Sequence, residues 1–210
     1  MENASAPQQP QAEEALVLGP AQAAQRLVLL HGWGADADDL FELGELLVGP
    51  EVSVVALRAP EPHPYGDGRQ WYGLQPIDWE ALPGARQALR SRLEQLGASV
   101  PLERTVLLGF SQGGAMAIDV GSKLPLAGIV ACSGYPHEGW QPQGSLPPVL
   151  LSHGRQDPVV PYAASEELQR GLNQAGARVE LLGFNGGHGI DPELLPAVGA
   201  FVRRCLEATG

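Results

Sequence analysis

Ser111 stands between glycines in Gly109-Phe110-Ser111-Gln112-Gly113-Gly114, the pattern Gly-x-Ser-x-Gly. Such a serine becomes useful when a strand ends just before it and a helix begins just after, because the sharp turn lifts its Oγ above the sheet edge. The flanking residues have that character: Thr105-Val106-Leu107-Leu108 is short, apolar and partly β-branched, and Ala115-Met116-Ala117-Ile118 suits a helix. A serine hydroxyl is a weak nucleophile until a base takes its proton and a third group orients that base. On a parallel sheet the chain order of such a set is serine, acid, histidine. Asp157, in His153-Gly154-Arg155-Gln156-Asp157-Pro158, and His188, in Asn185-Gly186-Gly187-His188-Gly189, supply that order. Each also has a plainer reading: a glycine-rich turn for Ser111, a turn or cap for Asp157, a solvated loop histidine for His188. Their joint occurrence, each after a predicted strand, favours chemistry.

The reaction would also need donors for a developing oxyanion. The backbone N–H of Gln112 is one candidate, and that of Trp33, in the loop His31-Gly32-Trp33-Gly34, is the other. Trp33, Trp71, Tyr72 and Leu74 are candidates for an apolar substrate cleft. His31 and His153 read as loop-pinning residues; His63 and His137, in proline-rich loops, read as exposed. The five histidines show no metal-ligand spacing, so no metal and no cofactor is expected. Activity is expected to fall as His188 becomes protonated.

Elements able to position these residues alternate along the chain. Strands are predicted at Arg26–Leu30, Val52–Leu57, from Thr105, and at Ala127–Cys132, Pro148–Ser152 and Ala177–Phe184. Helices are predicted at Ala37–Val48 (capped by Asp36), Gly84–Leu96 (ended by Gly97), after Ser111 to Ser122, at Tyr162–Ala175 (ended by Gly176), and from Pro192 with Asp191 as cap. The last carries Leu194, Val198, Phe201 and Cys205 on one stripe. Arg58–Ile77 is a loop rich in proline and glycine. Alternation of this kind predicts an α/β fold with a mostly parallel central sheet flanked by helices. Only Ser133–Pro147 separates two of the strands, which leaves minimal or no room for a cap domain.

The 210 residues, 44% hydrophobic and 18% charged, suit one domain over 16–210 behind a flexible tail, 1–15. A net charge of −11 argues against nucleic acid and anionic lipid surfaces as partners. No apolar run reaches the ~20 residues of a membrane span, so no stable membrane insertion is expected. The tail lacks a signal peptide's pattern, and two cysteines make no disulfide framework, so a cytoplasmic protein is expected. The oligomeric state is left open.

With these pieces in place, the chain resembles the carboxylesterase and acyl-protein thioesterase family of α/β hydrolases. The resemblance is carried by Leu29–Asp36, Gly109–Gly114, Leu126–Gly134, Asp157-Pro158-Val159-Val160-Pro161 and Gly187-His188. It implies an α/β-hydrolase fold, a Ser111–Asp157–His188 triad, an oxyanion hole of the Trp33 and Gln112 amides, and hydrolysis of esters, thioesters or lysophospholipids without a cofactor. Trp33 stands where the family commonly has an aliphatic residue. Two other readings are a non-catalytic binding protein on the same fold and a peptidase or amidase.

Overall fold

The computed structural model describes residues 14–208. Seven strands form one sheet: β1 (Ala15–Leu18), β2 (Arg26–Leu30), β3 (Ser53–Leu57), β6 (Thr105–Phe110), β7 (Gly128–Cys132), β8 (Val149–Gly154) and β9 (Val179–Phe184). β4 (Glu61–Pro62) and β5 (Arg69–Gln70) make a small separate hairpin. The sheet order is β1-β3-β2-β6-β7-β8-β9; β1 runs antiparallel to β3 and every other pair is parallel. Successive residues of a strand face opposite sides of the sheet, and here both sides are covered. Val28, Leu30 and Leu107 pack on one side with Leu89 and Leu93 of α2 (Leu82–Leu96), Met116 of α3 (Gln112–Gly121), and Leu168 and Leu172 of α4 (Ala163–Gln174). Leu27, Leu29, Val106 and Leu108 pack on the other with Leu47 of α1 (Phe41–Leu47) and Val198, Phe201 and Cys205 of α5 (Leu195–Glu207). That two-sided burial is why the central strands read as unbroken apolar runs.

The mostly parallel sheet flanked by helices is the architecture expected, and residues 133–148, between β7 and β8, contain no helix or strand. Some details differ. The expected tail lies outside the described residues up to residue 13, and Ala15 already opens β1. The predicted helix 37–48 begins as a 3-10 turn, Ala37–Leu40, with the Asp36 carboxylate accepting from Ala37 N–H at 2.7 Å. Gly97 ends α2 with φ −58°, so it caps without the left-handed conformation expected of it, whereas Gly176, after α4, has φ +88°. Among the described residues, no helix is long and apolar enough to cross a membrane.

Candidate active site

All four segments singled out for chemistry leave the carboxyl ends of parallel strands, where open α/β sheets form their sites. His31–Gly34 follows β2, Ser111 follows β6, Asp157 follows β8 and His188 follows β9.

Ser111 has φ 52° and ψ −116°, a left-handed conformation that costs a non-glycine residue about 1–3 kcal/mol. The surrounding glycines make the turn possible by allowing close approach. A Cβ on Gly113 would lie 2.1 Å from Leu30 O, and one on Gly109 would lie 2.1 Å from Gly113 O. The elbow is tied to the sheet by Ser111 N–H donating to Cys132 O at 2.8 Å. The loop after β2 reaches it directly: a Cβ on Gly32 would sit 3.5 Å from that of Ser111.

Ser111 Oγ lies 2.9 Å from His188 Nε2, and His188 Nδ1 lies 2.7 Å from Asp157 Oδ2. An ionised carboxylate only accepts, so Nδ1 carries the imidazole proton and Nε2 is left to accept from Ser111. The other carboxylate oxygen, Asp157 Oδ1, accepts from Val159 N–H at 2.8 Å and Val160 N–H at 2.9 Å. Burial pushes the Asp157 carboxyl up; the bonds from His188, Val160 and Val159 outweigh it and hold the group below the usual carboxylate range. The two loops are laced together, with Arg155 N–H donating to Phe184 O at 2.8 Å and Gln156 N–H to Gly186 O at 3.0 Å. Gly154 permits this closeness, since a Cβ there would stand 2.1 Å from Gly187 O. Phe110 packs on the His188 ring with centroids 5.0 Å apart. The sequence brought forward three residues from three loops, and the fold brings them into one hydrogen-bonded array.

In the loop after β2, Gly34 N–H donates to Arg69 O and Ala35 N–H to Gly32 O; Trp33 N–H and Gln112 N–H enter no such loop bond among the described residues. Gln112 opens α3, where first-turn amides have no intrahelical acceptor and the helix dipole favours negative charge. His31 pins this region: its Nδ1–H donates to Gly32 O at 2.8 Å, and its Nε2 accepts from Ala59 N–H at 3.0 Å. Burial holds its pKa down, which matches a neutral ring in that double role. His153 is buried too, its ring nitrogens 2.6 Å from Ser165 Oγ and 2.9 Å from Val160 O.

The predicted cleft residues separate into two groups. Trp33 and Leu74 are half-buried, and Trp33 stacks edge-on against His63 at 4.3 Å, with Tyr65, 70% exposed, beyond. Trp71 and Tyr72 are core residues, 2% and 1% exposed, rather than walls of an open cleft. The reason is polar as well as apolar. Trp71 Nε1–H donates to His31 O at 2.9 Å, Trp71 N–H donates to Gln112 Oε1 at 3.0 Å, and Gln112 Nε2–H donates to Tyr72 O at 2.7 Å. His137, expected at the surface, is 3% exposed and sits between Asp119 and Tyr72. Its partners lie 18 and 65 residues away, so no local pattern announced it.

A strained serine elbow joined to histidine and aspartate at the carboxyl edge of a parallel sheet is the arrangement of the α/β hydrolases. Comparison with known proteins narrows the class: the phospholipase/carboxylesterase family matches residues 12–206, and the chain belongs to that family of hydrolases. It is 30% identical over 188 residues to esterase YpfH of Escherichia coli, covering 84% of this chain and 81% of that protein. It is 31% identical over 153 residues to acyl-protein thioesterase 1 of Eremothecium gossypii, covering 68% of this chain and 65% of that protein. Among solved structures, esterase PE8 superposes with a TM-score of 0.82 at 32% identity, covering 92% of this chain and 99% of that one. The Bacillus cereus carboxylesterase shares the fold, with a TM-score of 0.76 at 24% identity, covering 93% and 96%.

Proposed function

We propose that the protein hydrolyses carboxylic esters, and acyl thioesters among them, through an acyl-enzyme on Ser111. The observation that carries this reading is the 2.9 Å and 2.7 Å hydrogen-bond path from Ser111 Oγ through His188 to Asp157. Ser111 Oγ attacks the carbonyl carbon as its proton passes to His188 Nε2. Asp157 holds the ring tautomer and stabilises the imidazolium. The carbonyl oxygen, now carrying the electron pair, accepts from the Trp33 and Gln112 amides. Collapse of this intermediate expels the alcohol or thiol, which takes its proton from His188. Water then attacks the acyl group with His188 again as base, releasing the acid and restoring Ser111.

The Trp33 ring, with His63 and Tyr65 beside it, forms an apolar wall next to the oxyanion loop and receives the acyl chain. Leu74, partly buried, packs on the same core cluster as Trp71 and Tyr72. Thioester cleavage draws support from the acyl-protein thioesterase relatives. A cytoplasmic setting belongs to this reading, and the two free, buried cysteines, Cys132 and Cys205, support it.

A panel of p-nitrophenyl esters, acyl thioesters and matched anilides tests the proposal, with Ser111→Ala as control. Ester and thioester turnover that disappears in the variant is expected. Turnover undiminished in Ser111→Ala, or anilides cleaved as fast as esters, would overturn it.

A further inference from the structure

Asp119 and His137 make a second buried carboxylate–imidazole pair, and the reaction above does not use it. We infer that this pair positions the two oxyanion amides, by holding the Trp71–Tyr72 segment as a brace between the His31 loop and Gln112. This role presupposes the Trp33 and Gln112 amides as donors, the reading proposed above.

The proton directions along the array are fixed. Asp119, 1% exposed on α3, meets Arg86, Lys123 at 2.7 Å and His137 Nδ1 at 2.7 Å. Burial pushes its carboxyl up, but the bonds from His137 and Lys123 win and hold it at about 2, so it is ionised and only accepts. His137 therefore carries its proton on Nδ1. Burial also drives the His137 pKa down, so the ring stays neutral and Nε2 accepts. Tyr72 O–H donates to that Nε2 at 2.8 Å, and Tyr135 O–H donates to the Tyr72 oxygen at 2.7 Å. Both phenols keep their protons, because burial pushes Tyr72 far up and Tyr135 up to about 12.

From Tyr72 the connection passes through the main chain. Tyr72 O and Trp71 N–H are both held by the Gln112 side chain, and the Trp71 indole N–H holds His31 O. Two adjacent residues thus grip the residue directly after Ser111 and the residue two before Trp33. The segment itself lies in the long connection between β3 and α2, whose regular structure among the described residues is the β4–β5 hairpin and a Leu74–Ile77 bridge. Its side-chain anchors are the Tyr72 hydroxyl on His137 and the Trp71 indole on His31 O. Stability alone does not explain the pair, since apolar residues of similar volume serve a core as well as a buried ion pair or better. Oxyanion donors, by contrast, work only when they are fixed before charge develops.

Tyr72→Phe removes one hydroxyl and keeps the ring; His137→Gln is the second variant. For each, kcat and KM are measured with a p-nitrophenyl ester, per equivalent of titratable Ser111, so that only folded molecules count. Affinity for phenylboronic acid, which becomes tetrahedral on a serine Oγ, is measured beside them. Loss of one oxyanion donor costs about 10²–10³ in kcat. A loosened brace is expected to cost about 10- to 100-fold, with KM within about twofold and boronate affinity falling in step. Wild-type kcat and boronate affinity per titrated site in either variant, even with lowered melting temperature, would overturn the positioning role. Failure of the underlying reading is distinguishable: wild-type protein would then show no turnover dependent on Ser111.

Discussion

Asp157→Asn is nearly isosteric, yet the structure assigns it a large effect on rate and a small one on folding. Asp157 Oδ1 accepts two backbone bonds, from Val159 at 2.8 Å and Val160 at 2.9 Å, while Oδ2 faces His188 Nδ1 at 2.7 Å. The asparagine oxygen must keep the Oδ1 position, because an NH₂ group there would oppose two N–H donors. The amide nitrogen then faces His188, and Nδ1 must accept from it. The imidazole proton moves to Nε2, which points at Ser111 Oγ and can no longer take its proton. A base held in the wrong tautomer costs about 10⁴ in kcat, or about 5.5 kcal/mol at 1.36 kcal/mol per tenfold. Folding exchanges the charge-assisted His188 bond for a neutral one and keeps the two backbone bonds in neutral form, a change of about 1–2 kcal/mol. Steady-state kinetics with a p-nitrophenyl ester, alongside urea denaturation of both proteins, measure the two effects. Asp157→Asn activity within tenfold of wild type, in protein of near-wild-type stability, would refute the tautomer argument.

The other outcomes concern packing, acid stability and the cleft. Gly113→Ala would set a Cβ 2.1 Å from Leu30 O and 2.5 Å from His31 O, so a loss of more than about 3 kcal/mol is expected. Gly84→Ala, in α2 with nothing within 4 Å, is expected to gain about 0.5–1 kcal/mol; urea midpoints check both. His31 and His137 have pKa values lowered by burial, so the unfolded chain binds more protons than the native one between those values and the unfolded value of about 6.5. Stability is therefore full above that range and falls as pH drops through it. Asp119, depressed to about 2, adds a further loss below the unfolded aspartate value of about 3.9. Melting temperatures flat from pH 8 to 5 would contradict this sign. Trp33→Ala keeps its backbone amide but loses the ring, so kcat/KM for octanoyl esters is expected to fall about tenfold more than for acetyl esters. An unchanged ratio would remove Trp33 from the cleft.

The parallel sheet was legible because its central strands are covered on both sides and so read as apolar runs bounded by turns. Ser111, Asp157 and His188 were legible because glycines mark the turns at their strand ends. β1 was not: of its four residues only Ala15 is buried, and its pairing with β3 lies about forty residues away in the chain. The burial of Trp71 and Tyr72 is not marked in the sequence for a related reason. Aromatics in a loop rich in proline and glycine suit a cleft wall, but the Gln112 side chain offers their backbone both a donor and an acceptor. The burial of His137 leaves no mark in the sequence because the carboxylate that holds it, Asp119, sits on the far end of α3 with no spacing to link the two.

Intact mass after treatment with a fluorophosphonate, wild type beside Ser111→Ala, addresses the proposed nucleophile most directly. A serine without an engaged base does not react at neutral pH, whereas one bonded to a neutral imidazole does. One adduct on the wild-type protein, absent from the variant, is expected. An unmodified wild-type protein, folded and at neutral pH, would contradict a nucleophilic Ser111 and favour a binding protein on a hydrolase fold.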